Sequence, residues 1–178
     1  MSPRFQRLIA FVVAIATLVP ASTFAENRSR GRTQLEADMA RVFGRRSTGA
    51  PQETILAAMN RERAAYGLGP LRLNQTLSLA ASDRIDDMFA KRYFAHVSPD
   101  GIQPFTWARK RGYRYSLIGE NLAVGYRGTS VVDGWMRSPG HRENILQRSF
   151  DEVGLAIAEG SPQRGYRGPT VVALYGTR

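Results

Sequence analysis

Two histidines and one glutamate are the residues of this chain whose types and settings suit chemistry. His96 and His141 are its only histidines, and Glu120 lies between them, 24 residues after the first and 21 before the second. Imidazole binds divalent metals and transfers protons near neutral pH, and a carboxylate can support either role. The three residues are therefore the raw material of a metal or acid–base site.

Each of these residues lies beside a feature that fixes the local backbone. The Ser-Pro-Asp-Gly sequence at 98–101 favours a type I turn directly after His96. The Ser-Pro-Gly sequence at 138–140 favours either a type II turn or a helix start directly before His141. Glu120 follows a glycine in a predicted strand, where side-chain directions are well defined. All three side chains are thus expected to be held in place.

Spacing alone does not bring the three together, because the chain contains neither a His-Glu-x-x-His motif nor a cysteine pair. Structural roles remain open for each residue. His96 can be a buried histidine that bonds backbone near a turn, and Glu120 can accept neighbouring backbone N–H groups. His141 can be an exposed residue in the first turn of a helix. Asn121 and Asn144 are equally ambiguous, since asparagine often satisfies buried backbone.

The N-terminus has the pattern of a secretory signal peptide. Arg4 and Arg7 precede an apolar run from Leu8 to Val19, and small residues lead up to Ala25. The run is short against the roughly 20 residues of a spanning helix, so we predict cleavage after Ala25 rather than a membrane anchor. No later segment is apolar enough to span a bilayer, and the expected location is secreted or periplasmic. The mature chain would keep 153 of the 178 residues, enough for one domain.

Composition narrows the function classes further. The chain has no cysteine, which excludes a thiol nucleophile, a zinc–thiolate site and disulfides. Without the predicted signal peptide, 23 basic and 15 acidic residues remain, a net charge of +8. Export argues against nucleic acid as the partner, so the surface either attracts an anionic lipid or wall polymer or reflects solvated arginines and compositional bias.

The pattern of elements predicts one α+β domain over residues 51–178, preceded by a basic flexible arm or linker at 26–50. Apolar residues at helical spacing predict a first helix, with Ile55, Ala58, Met59 and Tyr66 on its buried face. A second helix begins after the cap Asn74 and buries a stripe from Leu77 to Phe89. Its opposite face, with Asp83, Asp86 and Asp87, is expected to be exposed.

Shorter elements follow. A third helix is predicted over 104–111 and a strand over 115–124. Ser130 and Asp133 resemble a capping box that opens a further helix, in which Gly134 costs about 1 kcal/mol relative to alanine. The alternation around 153–157 and the β-branched stretch 169–175 predict an antiparallel pair of strands.

Several of these motifs recur in one order along residues 51–178. They are Asn60, Arg63, Leu71, the helix from Leu77 to Met88, Phe94, His96, Ser98, Pro99, Gly101, Gly119-Glu120-Asn121, Trp135 through His141 to Asn144, and Val153-Gly154. Together they resemble the CAP superfamily of cysteine-rich secretory, antigen 5 and plant pathogenesis-related type 1 proteins, also called the SCP domain. The resemblance is strongest to the short, cysteine-free bacterial branch.

The resemblance implies a three-layer α-β-α sandwich with a central, mainly antiparallel sheet and a surface cleft. In members that keep the full set, the cleft holds two histidines and two glutamates, and His96, Glu120 and His141 match three of these residues. The position of the fourth, a glutamate, is Ser138 here. Two histidines and one carboxylate can still ligate zinc or another divalent metal, whereas the missing glutamate removes one candidate general base.

Three functions follow as expectations. The first choice is an exported binding protein whose cleft carries the His/Glu/His set, with a divalent metal and a small-molecule, lipid or envelope ligand. The first alternative is a metal-dependent hydrolase of peptide, ester or wall substrates, with Glu120 as the candidate catalytic residue. Glu143 or Asp133 are the candidates to replace the missing carboxylate. The second alternative is a structural envelope protein with an inert cleft.

The aromatic residues Tyr93, Phe94, Phe105, Trp107 and Tyr113 either contact the envelope or, as we expect, pack in the core.

Overall fold

The computed structural model describes residues 7–14 and 50–178. The predicted cleavage site after Ala25 lies outside these residues, as does the predicted basic arm up to its last residue. The helices of the described part are α1 (Ala50–Ala65), α2 (Gln75–Lys91), α3 (Phe105–Lys110), α4 (Ser130–Met136) and α5 (Pro139–Leu146). The strands are β1 (Arg7–Ala14), β2 (Arg72–Leu73), β3 (Leu117–Val124), β4 (Glu152–Ala158) and β5 (Thr170–Thr177).

The strands form one sheet in the order β1-β3-β5-β4-β2. Only the short pair β2–β4 is parallel among the strands described, so the sheet is mainly antiparallel. The predicted pair of C-terminal strands is confirmed as β4 and β5. At the other end, β1 belongs to the segment with the signal-peptide pattern, and it pairs with β3 along its full length.

Side-chain alternation along the strands creates two hydrophobic cores, one on each face of the sheet. We call face A the one covered by α1, α4 and α5, and face B the one covered by α2 and α3. Strand residues that point into face A include Ala123, Val153, Leu155, Val171, Ala173 and Tyr175. Those that point into face B include Ile118, Leu122, Val124, Ala156, Val172 and Leu174. Helices on both faces confirm the α-β-α sandwich.

The approach of α2 to the sheet is set by a glycine. A Cβ at Gly154 would lie 2.1 Å from the backbone carbon of Leu77, so only glycine allows α2 to sit this close to β4. The helix begins where the sequence predicts, because the Asn74 side chain accepts a hydrogen bond from the Leu77 N–H at 3.0 Å. The close packing places the buried side of α2 within reach of β3.

Several predictions of local burial and helix capping from the sequence are wrong. Tyr66 is 49% exposed rather than buried, because α1 ends at Ala65 and the chain turns through Gly67. The capping box at Ser130 does not form, since Thr129 is the residue before α4 and the Ser130 hydroxyl bonds the Arg127 carbonyl instead. Asp83 and Asp87 are only half-buried rather than exposed, because they form ion pairs with Arg111 and Lys91.

The aromatic residues considered for envelope contact are mostly core residues, as expected. Phe94, Trp107 and Tyr113 are buried in the core of face B, and Tyr93 and Phe105 pack against it. Among the described residues, none of the helices is both long and apolar enough to cross a membrane.

Candidate functional site

The alternation of β3 sends two neighbouring polar residues to opposite faces of the sheet. Glu120 shares face B with Ile118 and Leu122, whereas Asn121 points into face A beside Ala123. Both are buried, with 1% and 0% of their surface exposed. The predicted site is therefore built around one strand that is approached from two sides.

On face B, Glu120 is held by two partners, one for each carboxylate oxygen. Its Oε1 lies 2.7 Å from Nδ1 of His96, and its Oε2 accepts a hydrogen bond from Nε of Arg84 at 3.1 Å. Arg84 is 0% exposed, so the pair is a salt bridge inside the protein. Breaking such a pair would leave a buried charge without its partner.

Arg84 also fixes the loop that carries His96. Its guanidinium donates to the backbone oxygens of Ala95 and His96 and to the hydroxyl of Tyr93. The same group lies over the ring of Trp107, 4.8 Å from its centroid. Arg84 thus positions both the imidazole and the carboxylate of the face B half of the site.

Sequence reasoning missed Arg84, although a signal was present. Arg84 lies three residues after Ala81 and four before Met88, which are both on the buried stripe of α2. A charged residue in an otherwise apolar stripe rarely stays buried without a partner. That position should have indicated a carboxylate on the sheet opposite.

The contact with Glu120 fixes the role of each nitrogen of His96. A carboxylate paired with arginine only accepts hydrogen bonds, so Nδ1 of His96 must be the donor. In the neutral imidazole, Nε2 then carries the lone pair. A carboxylate that orients a histidine in this way is the usual outer partner of a metal-ligating imidazole.

His141 occupies the face A half of the site. The structure resolves the open alternatives, because α5 begins at Pro139 and Ser138 is the residue before it. The exposed alternative is wrong, since His141 is 0% exposed. Its Nδ1 lies 2.7 Å from Oγ of Ser138, which stands where the resemblance implies a glutamate. Ser138 therefore keeps a hydrogen-bonding partner for the ring but brings no charge.

An asparagine pair ties α5 to β3. Asn144 donates to the Glu120 carbonyl at 3.2 Å and to the Asn121 side-chain oxygen at 2.8 Å. Asn121 donates in turn to the carbonyl of His141 at 3.0 Å and to the hydroxyl of Tyr175 at 3.1 Å. Burial raises the pKa of Tyr175, which keeps its hydroxyl neutral. The two asparagines thus satisfy buried backbone, the role left open by the sequence.

The three predicted residues are brought to one strand but not into one cluster. His96 contacts Glu120 on face B, and His141 reaches the same strand from face A through Asn121. Among residues 7–14 and 50–178, no three His, Asp or Glu side chains converge closely enough to hold a metal ion. Metal ligation by His96, Glu120 and His141 therefore stays a prediction.

A surface pocket of about 660 Å³ lies beside the face A half of the site, between α4 and α5. Its lining consists of Met136, Arg137, Pro139, Arg142, Glu143, Leu146, Gln147 and Arg148. Glu143, one of the two candidate substitutes for the missing carboxylate, belongs to this pocket. The pocket combines apolar walls with three guanidinium groups.

Comparison with known proteins confirms the predicted family and fold. Residues 56–175 match the model of the CAP family, described as the cysteine-rich secretory protein family. The Bacillus subtilis protein YkwD is 39% identical over 114 residues, which are 64% of this chain and 44% of YkwD. The chain thus spans less than half the length of that relative.

Two solved structures share the fold. An outer surface protein from Borrelia burgdorferi superposes with a TM-score of 0.66 at 22% identity, over 75% of this chain and 96% of that one. An extracellular protein of Bacillus anthracis containing an SCP domain gives a TM-score of 0.61 at 24% identity, over 71% of this chain and 40% of that one. At these identities the likeness shows the fold alone. With the family match across 56–175, the chain belongs to the CAP family, in a form without cysteine.

Proposed function

We propose that this protein is an exported CAP-domain binding protein whose ligand site lies where His96 and His141 flank β3. The observation that carries the proposal is the matched support of the two rings. Nδ1 of each histidine lies 2.7 Å from an oxygen, of Glu120 in one case and Ser138 in the other. Burying polar groups to orient two rings costs free energy of folding, as is typical of a binding site. The arrangement is suited to presenting the Nε2 atom of each ring to a ligand.

The proposed metal role follows from the same geometry. The two imidazoles are the candidate ligands for a divalent ion such as zinc, and Glu120 orients His96 rather than binding the ion. The residues fit only part of a zinc site, because protein sites usually provide three or four ligands. A bound ion would supply a Lewis acid to polarise a ligand oxygen. The remaining positions would then be filled by water or by the ligand.

Binding is favoured over hydrolysis by the state of the carboxylates. Both oxygens of Glu120 are engaged, by Arg84 and by His96. The family's second glutamate is Ser138, and Glu143 lies in the neighbouring pocket. A general base must reach the proton that it removes. Because Glu120 is held by two partners, the site is better suited to orienting a ligand than to removing a proton with this carboxylate.

An anionic, partly apolar envelope component is the proposed ligand class. The pocket between α4 and α5 supports this, because three arginines, Arg137, Arg142 and Arg148, line it together with apolar residues such as Met136 and Leu146. The net charge of +8 after the predicted cleavage acts in the same direction. The extracellular and outer-surface locations of the two structural relatives support secretion or a periplasmic location.

Zinc titration by calorimetry tests the metal part. The chain would be compared with the double variant His96→Ala, His141→Ala and with Glu53→Ala, an exposed carboxylate of α1, as the matched control. We expect stoichiometric binding that is lost in the double variant and kept in the control. If all three folded proteins bind zinc equally or not at all, the histidines are not a metal site.

Vesicle binding tests the ligand class. Vesicles with and without an anionic lipid would be titrated with the protein and with Arg137→Ala, Arg148→Ala. The control for lost charge is the double variant Arg61→Ala, Arg164→Ala, which removes two exposed arginines outside the pocket. We expect the pocket variant to lose more affinity for anionic vesicles than the control. Equal losses of affinity would mean that net charge, and not the pocket, is responsible for vesicle binding. If the double variant His96→Ala, His141→Ala also bound the vesicles unchanged, an inert envelope role would gain support.

A further inference from the structure

The strand β1 lies at the position in the sheet where the two halves of the site meet. It pairs antiparallel with β3 from Arg7, opposite Val124, to Ala14, opposite Leu117. Helix α5, which carries His141, lies alongside it. The groove between the outer edge of β3 and α5 is thus filled by an extended chain.

The register centres this chain on the site. Phe11 lies opposite Glu120, and Ala10 lies opposite Asn121. These two β3 residues are the ones that contact His96 on face B and α5 on face A. An extended chain in the groove therefore passes both halves of the site within a single pair of residues.

We propose that the outer edge of β3 is a strand-addition site for an extended apolar peptide, and that β1 is its occupant in the full chain. The inference goes beyond the proposed binding function, because it adds an extended peptide at the edge of β3 to the anionic component proposed for the pocket between α4 and α5. In strand addition, main-chain hydrogen bonds supply affinity, and alternate side chains supply specificity.

Removal of β1 would expose the outer edge of β3. The strand β1 belongs to the segment that we predict to be removed after Ala25, and removal would leave β3 at the end of the described sheet. An edge strand presents a row of backbone donors and acceptors that readily pair with another chain. Residues 117–124 include no lysine or proline to block such pairing, and their one charged side chain, Glu120, is engaged inside the protein.

The apolar sequence of β1 indicates what kind of peptide the groove accepts. Residues 8–14 of β1 are all apolar. The sequence that fits the groove in the full chain is therefore a short apolar one with high strand propensity. A peptide of the same character is the partner that the groove suits after β1 has gone.

The surroundings of the β3 edge favour a peptide over a second copy of the domain. The added strand lies beside α5, so the groove has a wall as well as an edge. A second copy that offered its own β3 would bring its own α5 to the same edge. An isolated peptide brings no such element, and it can lie between β3 and α5 as β1 does.

Cross-linking in the full chain tests whether β1 occupies the groove in this register. The chain has no natural cysteine, so the double variant Leu8→Cys, Ala123→Cys contains a single possible disulfide between facing residues. The matched control is Ile9→Cys, Ala123→Cys, which shifts the pair by one residue and keeps the same core substitution. We expect the facing pair to oxidise at least tenfold faster than the control. Equal rates would overturn this register.

Peptide binding tests the site itself. A protease site would be placed within residues 26–49 of the full chain, so that the folded protein can be compared before and after cleavage. The probe is a labelled peptide of residues 7–14 with lysines added for solubility, in excess, followed by fluorescence anisotropy. We expect the cleaved protein to bind the peptide saturably. The uncleaved protein should bind it at least tenfold more weakly. Equal binding to both forms would overturn the proposal.

Two N-methylated peptides separate strand addition from general stickiness. One carries methyl groups on the amides of residues 7, 9, 11 and 13, and the other on those of 8, 10, 12 and 14. Only alternate N–H groups of an added strand face its neighbour. We therefore expect one peptide to bind like the parent and the other to lose at least tenfold in affinity. If the two peptides bind alike, or if the cut protein dimerises instead, the proposal is wrong.

This test fails independently of the proposed metal site. Zinc binding without peptide binding would reject the strand-addition site alone. Peptide binding that is unchanged in the double variant His96→Ala, His141→Ala would support the edge of β3 as the site while removing the histidines from it.

Discussion

Face A and face B each bury an arginine, and the two arginines are satisfied in different ways. Arg63 on face A is 1% exposed and donates to the backbone carbonyls of Gly69, Ile145, Gln147 and Phe150 at 2.7 to 2.9 Å. Burial lowers its pKa. Arg84 on face B is 0% exposed and is paired with the carboxylate of Glu120.

The rest of each face follows the same division. Around β3, face A relies on the neutral side chains of Asn121, Asn144 and Ser138, whereas face B adds ion pairs such as Asp83 with Arg111 and Asp87 with Lys91. Neutral networks respond little to acid, whereas ion pairs are lost when their carboxylates are protonated. Apart from the buried His141, face A is therefore held around β3 by neutral hydrogen bonds and serves as a scaffold, whereas the geometry of face B depends on ion pairs.

The largest effect is expected for Arg63→Met. The variant removes four hydrogen bonds, two of them to the buried residues Ile145 and Phe150, at about 1 kcal/mol each, so we expect the free energy of unfolding to fall by about 4 kcal/mol. Denaturant unfolding measures this loss. The matched control is Arg61→Met, an exposed residue of the same helix, with an expected change within about 0.5 kcal/mol. Similar losses in the two variants would contradict the scaffold role of Arg63.

Arg84→Met should lower the stability less than Arg63→Met does, but it should disturb the geometry of the site more. It leaves the buried carboxylate of Glu120 without its ion-pair partner. We therefore expect the free energy of unfolding to fall by about 3 kcal/mol. Adding Glu120→Gln removes the stranded charge, so the double variant should be less destabilised than the sum of the two single variants. A double-mutant cycle measures this coupling.

The cycle also shows whether charge or packing matters at this position. Arg84 lies against the rings of Tyr93 and Trp107, so part of its contribution is contact area. If the single losses are simply additive, the ion pair contributes nothing specific. The comparison between the two faces would then be one of packing alone.

Much of the fold follows from local patterns in the sequence. The stripe of α2, its cap at Asn74 and the antiparallel pair β4–β5 were predicted because each is set by neighbours in the chain or by simple alternation. Tyr66 and Ser130 were misplaced because helix ends depend on competing hydrogen bonds. Cleavage after Ala25 and the basic arm at 26–50 stay predictions.

The site was predictable in its parts but not in its assembly. The family resemblance selected His96, Glu120 and His141, and it also pointed to Ser138. It did not indicate that Glu120 would be tied to Arg84, because that contact joins residues 36 positions apart through the packing of α2 on the sheet. The contact of Glu120 with His96 on face B and of Asn121 with the His141 backbone on face A follows from the alternation of β3, which spacing alone does not reveal.

Ser138→Ala tests the neutral half of the site. It removes the partner of Nδ1 of His141, so we expect zinc affinity to fall about tenfold, as for other outer partners of metal ligands, with little loss of stability. Calorimetry and thermal unfolding measure the two quantities. Ser149→Ala, at an exposed position, is the control. An unchanged affinity would mean that His141 needs no orienting partner or binds no metal.

The smallest effect is expected from Glu152, which extends the charge of face B to the far strands. Burial alone would raise its pKa, but hydrogen bonds from Tyr113 and Asn74, together with Arg178 and Arg72, hold that pKa below the ordinary 4.5. Because the folded-state pKa lies below the unfolded value, its stabilising contribution is complete above 4.5 and is lost as the pH falls through the lowered pKa.

Glu152→Gln should therefore flatten the decline in stability below pH 4.5 while changing the slope little above it. Denaturant unfolding across this range measures the slope, with Glu143→Gln as an exposed control. Hydrogen exchange at acid pH should show α2, packed on face B, opening before α1 on face A. If α1 opens first, or if Glu152→Gln leaves the slope unchanged, acid sensitivity is not concentrated on face B.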